Sequence, residues 1–201
     1  MHQSFRSSSH PLSHALRQAA LFALTLAVLV SGGCSSAGPS DSSREGSPAT
    51  GTKLGQIAPD FSLPLLGKPG RLNLAEQRGK VVLISFWASW CGPCRIEMPA
   101  LDKAWPSYKG KDVAFIGVSV DDNPEAAERF LEAIPLGFPS LIDTSGDVSG
   151  GAWRVSSLPT TVVLDRRGVV RARHLGYTPR QLQQSLNLID DLLEVPEEPA
   201  P

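Results

Sequence analysis

Cys91 and Cys94 stand three residues apart in FWASWCGPCRIEMP, between an apolar run and a segment of helical character. Thiols at this spacing can hold a metal, attach a haem, close a structural bridge or exchange with another disulfide. A zinc site takes about four ligands. This chain has few to offer, because His2, His10 and His14 all lie near the N-terminus and His174 alone remains. No metal is assigned. A c-type haem needs a histidine directly after the second cysteine, where Arg95 stands. A bridge serving stability remains open for an exported protein, although closing so short a loop removes little entropy from the unfolded chain.

Redox chemistry accounts for more of the arrangement. VVLISFW reads as a strand buried on both faces, so Cys91 falls at a strand end and at the start of a helix. There the helix dipole and unpaired backbone N–H groups favour thiolate over thiol, which is the form that attacks a disulfide. Gly92 and Pro93 let the chain turn into the helix, Pro93 near a position where a missing N–H costs nothing. Cys94, one turn into the helix, is placed to attack a mixed disulfide on Cys91.

The elements that must position these residues can be read around them. A hairpin, broken by Pro64, Gly67, Pro69 and Gly70, precedes VVLISFW. A helix follows to about residue 108, with Ile96, Leu101 and Trp105 among its apolar positions and a kinking Pro99 inside it. DVAFIGVSV is the next buried strand. Asn123 caps PEAAERFLEAI, with Pro124 at the first helical position. FPSLID gives a short strand and GDVSGGAWRV a short helix or irregular turn. TTVVLD and VVRARHLG form a hairpin through Arg166-Arg167-Gly168. Thr178 caps a last helix with Leu182, Leu186, Ile189 and Leu193 on one stripe. This order describes an α/β domain, a central mixed sheet with helices on both faces.

WCGPC after VVLISFWAS resembles the thioredoxin superfamily, and CRIEMP with GQIAPDFSL resembles its membrane-tethered TlpA/ResA-type branch, over residues 53–195. The resemblance implies a thioredoxin fold with an N-terminal β-hairpin and a central βα insertion. It also implies a protein-disulfide reductase without a cofactor, in which Cys91 is the nucleophile and Cys94 resolves. LPTTVVLD matches the segment that carries the superfamily's cis-proline, here Pro159. A cis bond after Leu158 would expose backbone to an added substrate strand, beside Trp90, Gly92 and Pro93. Glu97 corresponds to a glutamate associated with proton handling in the tethered branch; the alternative is a solvated helix carboxylate paired with a Lys or Arg. Two places depart from the pattern. Ser85 occupies the position of the buried aspartate of general thioredoxins, and Gly150-Gly151 interrupts the helix expected before Pro159. Peroxiredoxins share APDF-like openings, but their PxxxTxxC context is absent.

The flanks address the chain. Residues 1–33 carry Arg6 and Arg17, no acid, and an apolar run over residues 19–30. That is a signal-peptide pattern, too short for the roughly 20 residues that span a bilayer. LVSGGCSS resembles a lipoprotein box in which Cys34 is lipidated; an ordinary cleaved signal is the alternative. Residues 34–52 read as a Ser/Gly/Pro tether and residues 196–201 as a disordered acidic tail. With 19 basic against 20 acidic residues the chain shows no nucleic-acid surface, and no dimerisation segment is visible, so it is read as a monomer. The partners implied are exported disulfide-containing proteins, a membrane or periplasmic electron donor, and a bacterial membrane held through lipid on the periplasmic or exterior side. Apocytochrome c is a candidate substrate. A disulfide oxidase or isomerase, or a binding module without turnover, are the alternatives to a reductase.

Overall fold

All seven residues of VVLISFW are buried, and the strand they form is the middle of the sheet. The computed structural model describes residues 49–195. The expected signal segment, Cys34, the tether up to residue 48 and the tail lie outside them. In chain order the elements are β1 (Ser62–Pro64), β2 (Arg71–Asn73), β3 (Val81–Trp87), α1 (Cys94–Ala104) and β4 (Val113–Ser119). Then come α2 (Pro124–Ala133), β5 (Ser140–Ile142), a π-helical turn (Asp147–Ala152), β6 (Thr160–Leu164), β7 (Val170–Leu175) and α3 (Pro179–Glu194). The sheet runs β5-β4-β3-β6-β7, with β3, β4 and β5 parallel and β6 antiparallel to both its neighbours. This is a mixed α/β thioredoxin-like fold, with α2 and β5 lying between β4 and β6 in the chain.

Alternation along β3 splits the core in two. Val81, Leu83 and Trp87 join Met98 and Leu101 of α1, Phe130 of α2 and Ile189 of α3. Val82, Ile84 and Phe86 face the other way, onto Phe61, Leu63, Leu74 and Trp153. Helices α1, α2 and α3 therefore all cover the first face, not both faces as the order of elements suggested, because the segment expected to supply a helix on the other side forms only the π-helical turn ending near Trp153. The β1–β2 hairpin, a 3-10 turn (Leu74–Gln77) and the residues after β5 close the second. The hairpin also covers the β5 edge, where the Leu66 N–H donates to the Ser140 carbonyl at 2.8 Å.

Helix boundaries follow local chemistry. Asn123 Oδ1 accepts from the Glu125 N–H at 2.9 Å ahead of Pro124, and Thr178 Oγ1 accepts from the Gln181 N–H at 3.2 Å ahead of Pro179. The α-helical part of α1 stops at Ala104 rather than near residue 108. It continues as a 3-10 turn (Trp105–Ser107), because Pro106 brings no N–H to extend it. Ile96, expected among the apolar positions, is 63% exposed. The buried stripe of α1 is Cys94, Glu97, Met98 and Leu101, at spacings of three and four, and Ile96 lies off it. The Gly150-Gly151 segment forms the π-helical turn, entered through Gly146 at φ 72° and held where Asp143 Oδ2 accepts from the Ser149 N–H at 2.7 Å.

Close approach at β4 makes one glycine obligatory. A Cβ on Gly117 would lie 2.9 Å from Ser140 Oγ and 3.0 Å from Trp87 Nε1, which are themselves hydrogen-bonded at 3.1 Å. Gly117→Ala is expected to cost about 1–3 kcal/mol through displacement of Trp87. Urea unfolding checks this, and an unchanged midpoint would contradict it.

Candidate active site

The loop after β3 and the first turn of α1 bring the two cysteines together as a disulfide, with Cα atoms 5.3 Å apart. Cys94 is fully buried and Cys91 is 5% exposed, so Cys91 is the sulfur with a face toward solvent. The helix begins at Cys94 itself, not a turn before it as the sequence suggested. Pro93 is the N-cap and offers no side-chain hydrogen bond. The orphaned N–H of Cys94 donates instead to Cys91 Sγ at 3.2 Å. A sulfur in this place accepts a helix-terminal N–H and faces the positive end of the dipole, and both interactions favour its thiolate once the disulfide is opened.

One turn beyond Cys94, Glu97 is 3% exposed. The solvated, ion-paired alternative is thereby removed. Its carboxyl oxygens accept from Ser85 Oγ at 2.7 Å and Thr161 Oγ1 at 2.6 Å. Ser85 and Thr161 are direct partners across β3 and β6, so their side chains emerge side by side on one face and make a two-donor cradle. A carboxyl thus lies against the strand position where thioredoxins carry aspartate, but it arrives from the helix. Burial raises the Glu97 carboxyl above its ordinary range, and the two hydroxyl donors pull against that rise. Thr161 carries no motif of its own; its opposition to Ser85 depends on a register that sequence does not display.

Beside Cys91 opens a cleft of about 610 Å³. Trp90, Gly92 and Pro93 form one wall with Val120, and Leu158 with residues 155–157 forms another. Gly146, Ser149 and Gly150 of the π-helical turn and its entry close the end. None of the lining residues is charged. Trp90 is 69% exposed. The Leu158–Pro159 bond is cis, yet Pro159 is buried behind the wall and its carbonyl accepts from the Gly176 N–H at 2.8 Å. Leu158 is the part of this segment that reaches the cleft. No backbone hydrogen bond among the described residues occupies its N–H or carbonyl. The contribution of the π-helical turn was missed in the sequence, where Gly150-Gly151 reads only as a weak helix.

Residues 54–173 match the AhpC/TSA family. The chain is 39% identical to the thioredoxin-like protein YneN of Bacillus subtilis over 142 residues, 69% of this chain and 81% of that one. It is 38% identical to the thiol-disulfide oxidoreductase ResA of Geobacillus kaustophilus over 122 residues, 61% of this chain and 69% of ResA. A candidate thiol:disulfide interchange protein DsbE from Chlorobium tepidum superposes with a TM-score of 0.66 at 35% identity, covering 70% of this chain and 98% of that structure.

The environment of Glu97 has a pH signature. A carboxyl that holds its proton more tightly in the folded than in the unfolded chain contributes stability that is complete below the unfolded value and is lost as pH rises through the folded value. Glu97→Gln does not ionise. Its stability relative to the parent is expected to improve as pH rises above the ordinary value of 4.5, then level off beyond the raised one. Urea midpoints of both oxidised proteins across this range measure the difference, and a difference independent of pH would contradict the assignment.

Proposed function

We propose, for a chain that belongs to the AhpC/TSA family and is a thioredoxin-like protein-disulfide reductase, that its substrates are disulfides in exported proteins. The observation that carries this reading is the asymmetry of the pair. Cys91 has its one face at an uncharged cleft, and Cys94 stands behind it with Glu97 a turn further in.

In the reduced enzyme the Cys91 thiolate attacks one sulfur of the substrate disulfide; a Cys91–substrate bond forms, and the other substrate sulfur leaves as thiolate. Cys94 then loses its proton, for which the buried Glu97 carboxylate is the nearest acceptor on the same helical stripe. The Cys94 sulfur attacks Cys91 Sγ and releases the second substrate thiolate. The substrate has gained two electrons and the enzyme holds the Cys91–Cys94 disulfide. A dithiol donor at the membrane or in the periplasm restores the reduced pair by the reverse exchange. Trp90, Gly92, Pro93 and Leu158 seat the substrate chain, which pairs with the free backbone at Leu158 as an added strand, and Pro159 fixes the turn behind it.

Export rests on the signal pattern of residues 1–33, and attachment on lipidation of Cys34 with the following residues as tether. No helix among the described residues is long and apolar enough to cross a membrane. Apocytochrome c, which must present reduced haem-attachment cysteines, is one substrate of the required class. Glycine and proline between the cysteines favour reduction, as in thioredoxin at about −270 mV, over the strong oxidants near −120 mV.

Cys91→Ser should abolish insulin-disulfide reduction. Cys94→Ala should accumulate a mixed disulfide on Cys91, recoverable by mass spectrometry from exporting cells. Turnover by Cys91→Ser would overturn the mechanism, and a potential above about −150 mV would reverse the direction assigned.

A further inference from the structure

Ser89, between β3 and the cysteines, has all three of its polar groups engaged. Its N–H donates to Asp121 Oδ2 at 2.9 Å and its hydroxyl to Asp121 Oδ1 at 2.6 Å. Its carbonyl, in the peptide group shared with Trp90, accepts from Arg95 Nη2 at 2.8 Å. The two grips come from different elements. Asp121 follows β4 and is 1% exposed, with Oδ2 also accepting from Ser119 Oγ at 2.7 Å. Arg95 is in the first turn of α1, and its guanidinium lies 5.4 Å from the centre of the Phe130 ring.

We propose that Asp121 and Arg95 are positioning residues that clamp Ser89 from opposite sides and so hold Trp90 as a fixed wall for the substrate chain. The three segments joined by the clamp are the ones that build this side of the cleft. Val120 adjoins Asp121, Trp90 and Cys91 follow Ser89, and Cys94 precedes Arg95. A large indole left 69% exposed has little packing of its own to fix it. The peptide group before it helps fix where its Cα–Cβ bond points; that group is held by Arg95 through its carbonyl, with Asp121 anchoring the residue that supplies it. A wall fixed in advance spares the substrate the cost of ordering it on binding. The carboxylate that does this is turned into the protein, toward Ser89 and Ser119, so the cleft stays uncharged.

This inference rests on the reading that the cleft receives the substrate chain, and the test separates the two. The probe is a short peptide with one intramolecular disulfide flanked by uncharged apolar residues, reduced by the full-length protein. Asp121→Asn, Ser89→Ala and Arg95→Met should each raise KM about tenfold while kcat changes less than about threefold, the scale of a lost charge-assisted hydrogen bond. Arg95 is exposed, so Arg95→Met leaves the core untouched if Asp121→Asn fails to fold. Arg95→Lys, which keeps a charged donor, should restore most of the KM. The heteronuclear NOE of the Trp90 indole N–H should fall in the variants whose KM rises. Unchanged KM in Arg95→Met and Ser89→Ala, a loss confined to kcat, or an unaltered Trp90 signal would overturn the clamp. A parent protein that reduces insulin but not this peptide would overturn the reading that the cleft receives the substrate chain instead.

Discussion

The first N–H of α1 has no carbonyl to bond, and the sulfur of Cys91 takes it at 3.2 Å. Much of the site depends on that contact. Pro93, with no N–H and no capping side chain, leaves the helix start unsatisfied, and Cys91, three residues before Cys94, lies within reach of it. A sulfur held there accepts a helix-terminal donor in the oxidised state and has a stabilised anion in the reduced one. The strand ending at Trp87 delivers it, buried over its whole length so that the loop beyond starts from a rigid edge. Asp121 and Arg95 then secure the loop from both sides.

Behind the pair, the sheet does a second job. Ser85 and Thr161 face each other across β3 and β6, and their hydroxyls turn an otherwise apolar face into a seat for one carboxyl. Desolvation raises its proton affinity while the donors moderate the rise. A carboxyl whose two charge states are brought closer in energy is suited to accept and return a proton within one cycle. The cleft on the other side of Cys91 is uncharged, so the proposed substrate chain would be held there by Trp90, Leu158 and backbone rather than by ion pairs.

What the sequence could disclose tracks how local each cause is. The buried strand VVLISFW, the Asn123 and Thr178 caps and the hairpin around Gly168 follow from neighbouring residues, and each stands where its pattern put it. The burial of Glu97 was within reach, since Cys94, Glu97, Met98 and Leu101 form the helix's inward stripe and Ile96 does not. Reading apolarity in place of spacing puts Ile96 on the inward side and leaves Glu97 open between the two. Thr161 and Asp121 were out of reach. The first acts through cross-strand register, and the second through a bond to Ser89 from 32 positions away. The π-helical wall was hidden for another reason: Gly150-Gly151 weakens any helical pattern, and Asp143 supplies the order by capping the turn from outside it.

Attack by Cys91 depends on a lowered proton affinity of its sulfur, and the rate of its alkylation by iodoacetamide as a function of pH, followed by mass spectrometry on the reduced protein, measures that directly. A midpoint below the value of about 8.5 for a free cysteine is expected, with Cys94 protected throughout. A midpoint at or above about 8.5, or equal modification of both sulfurs, would contradict it.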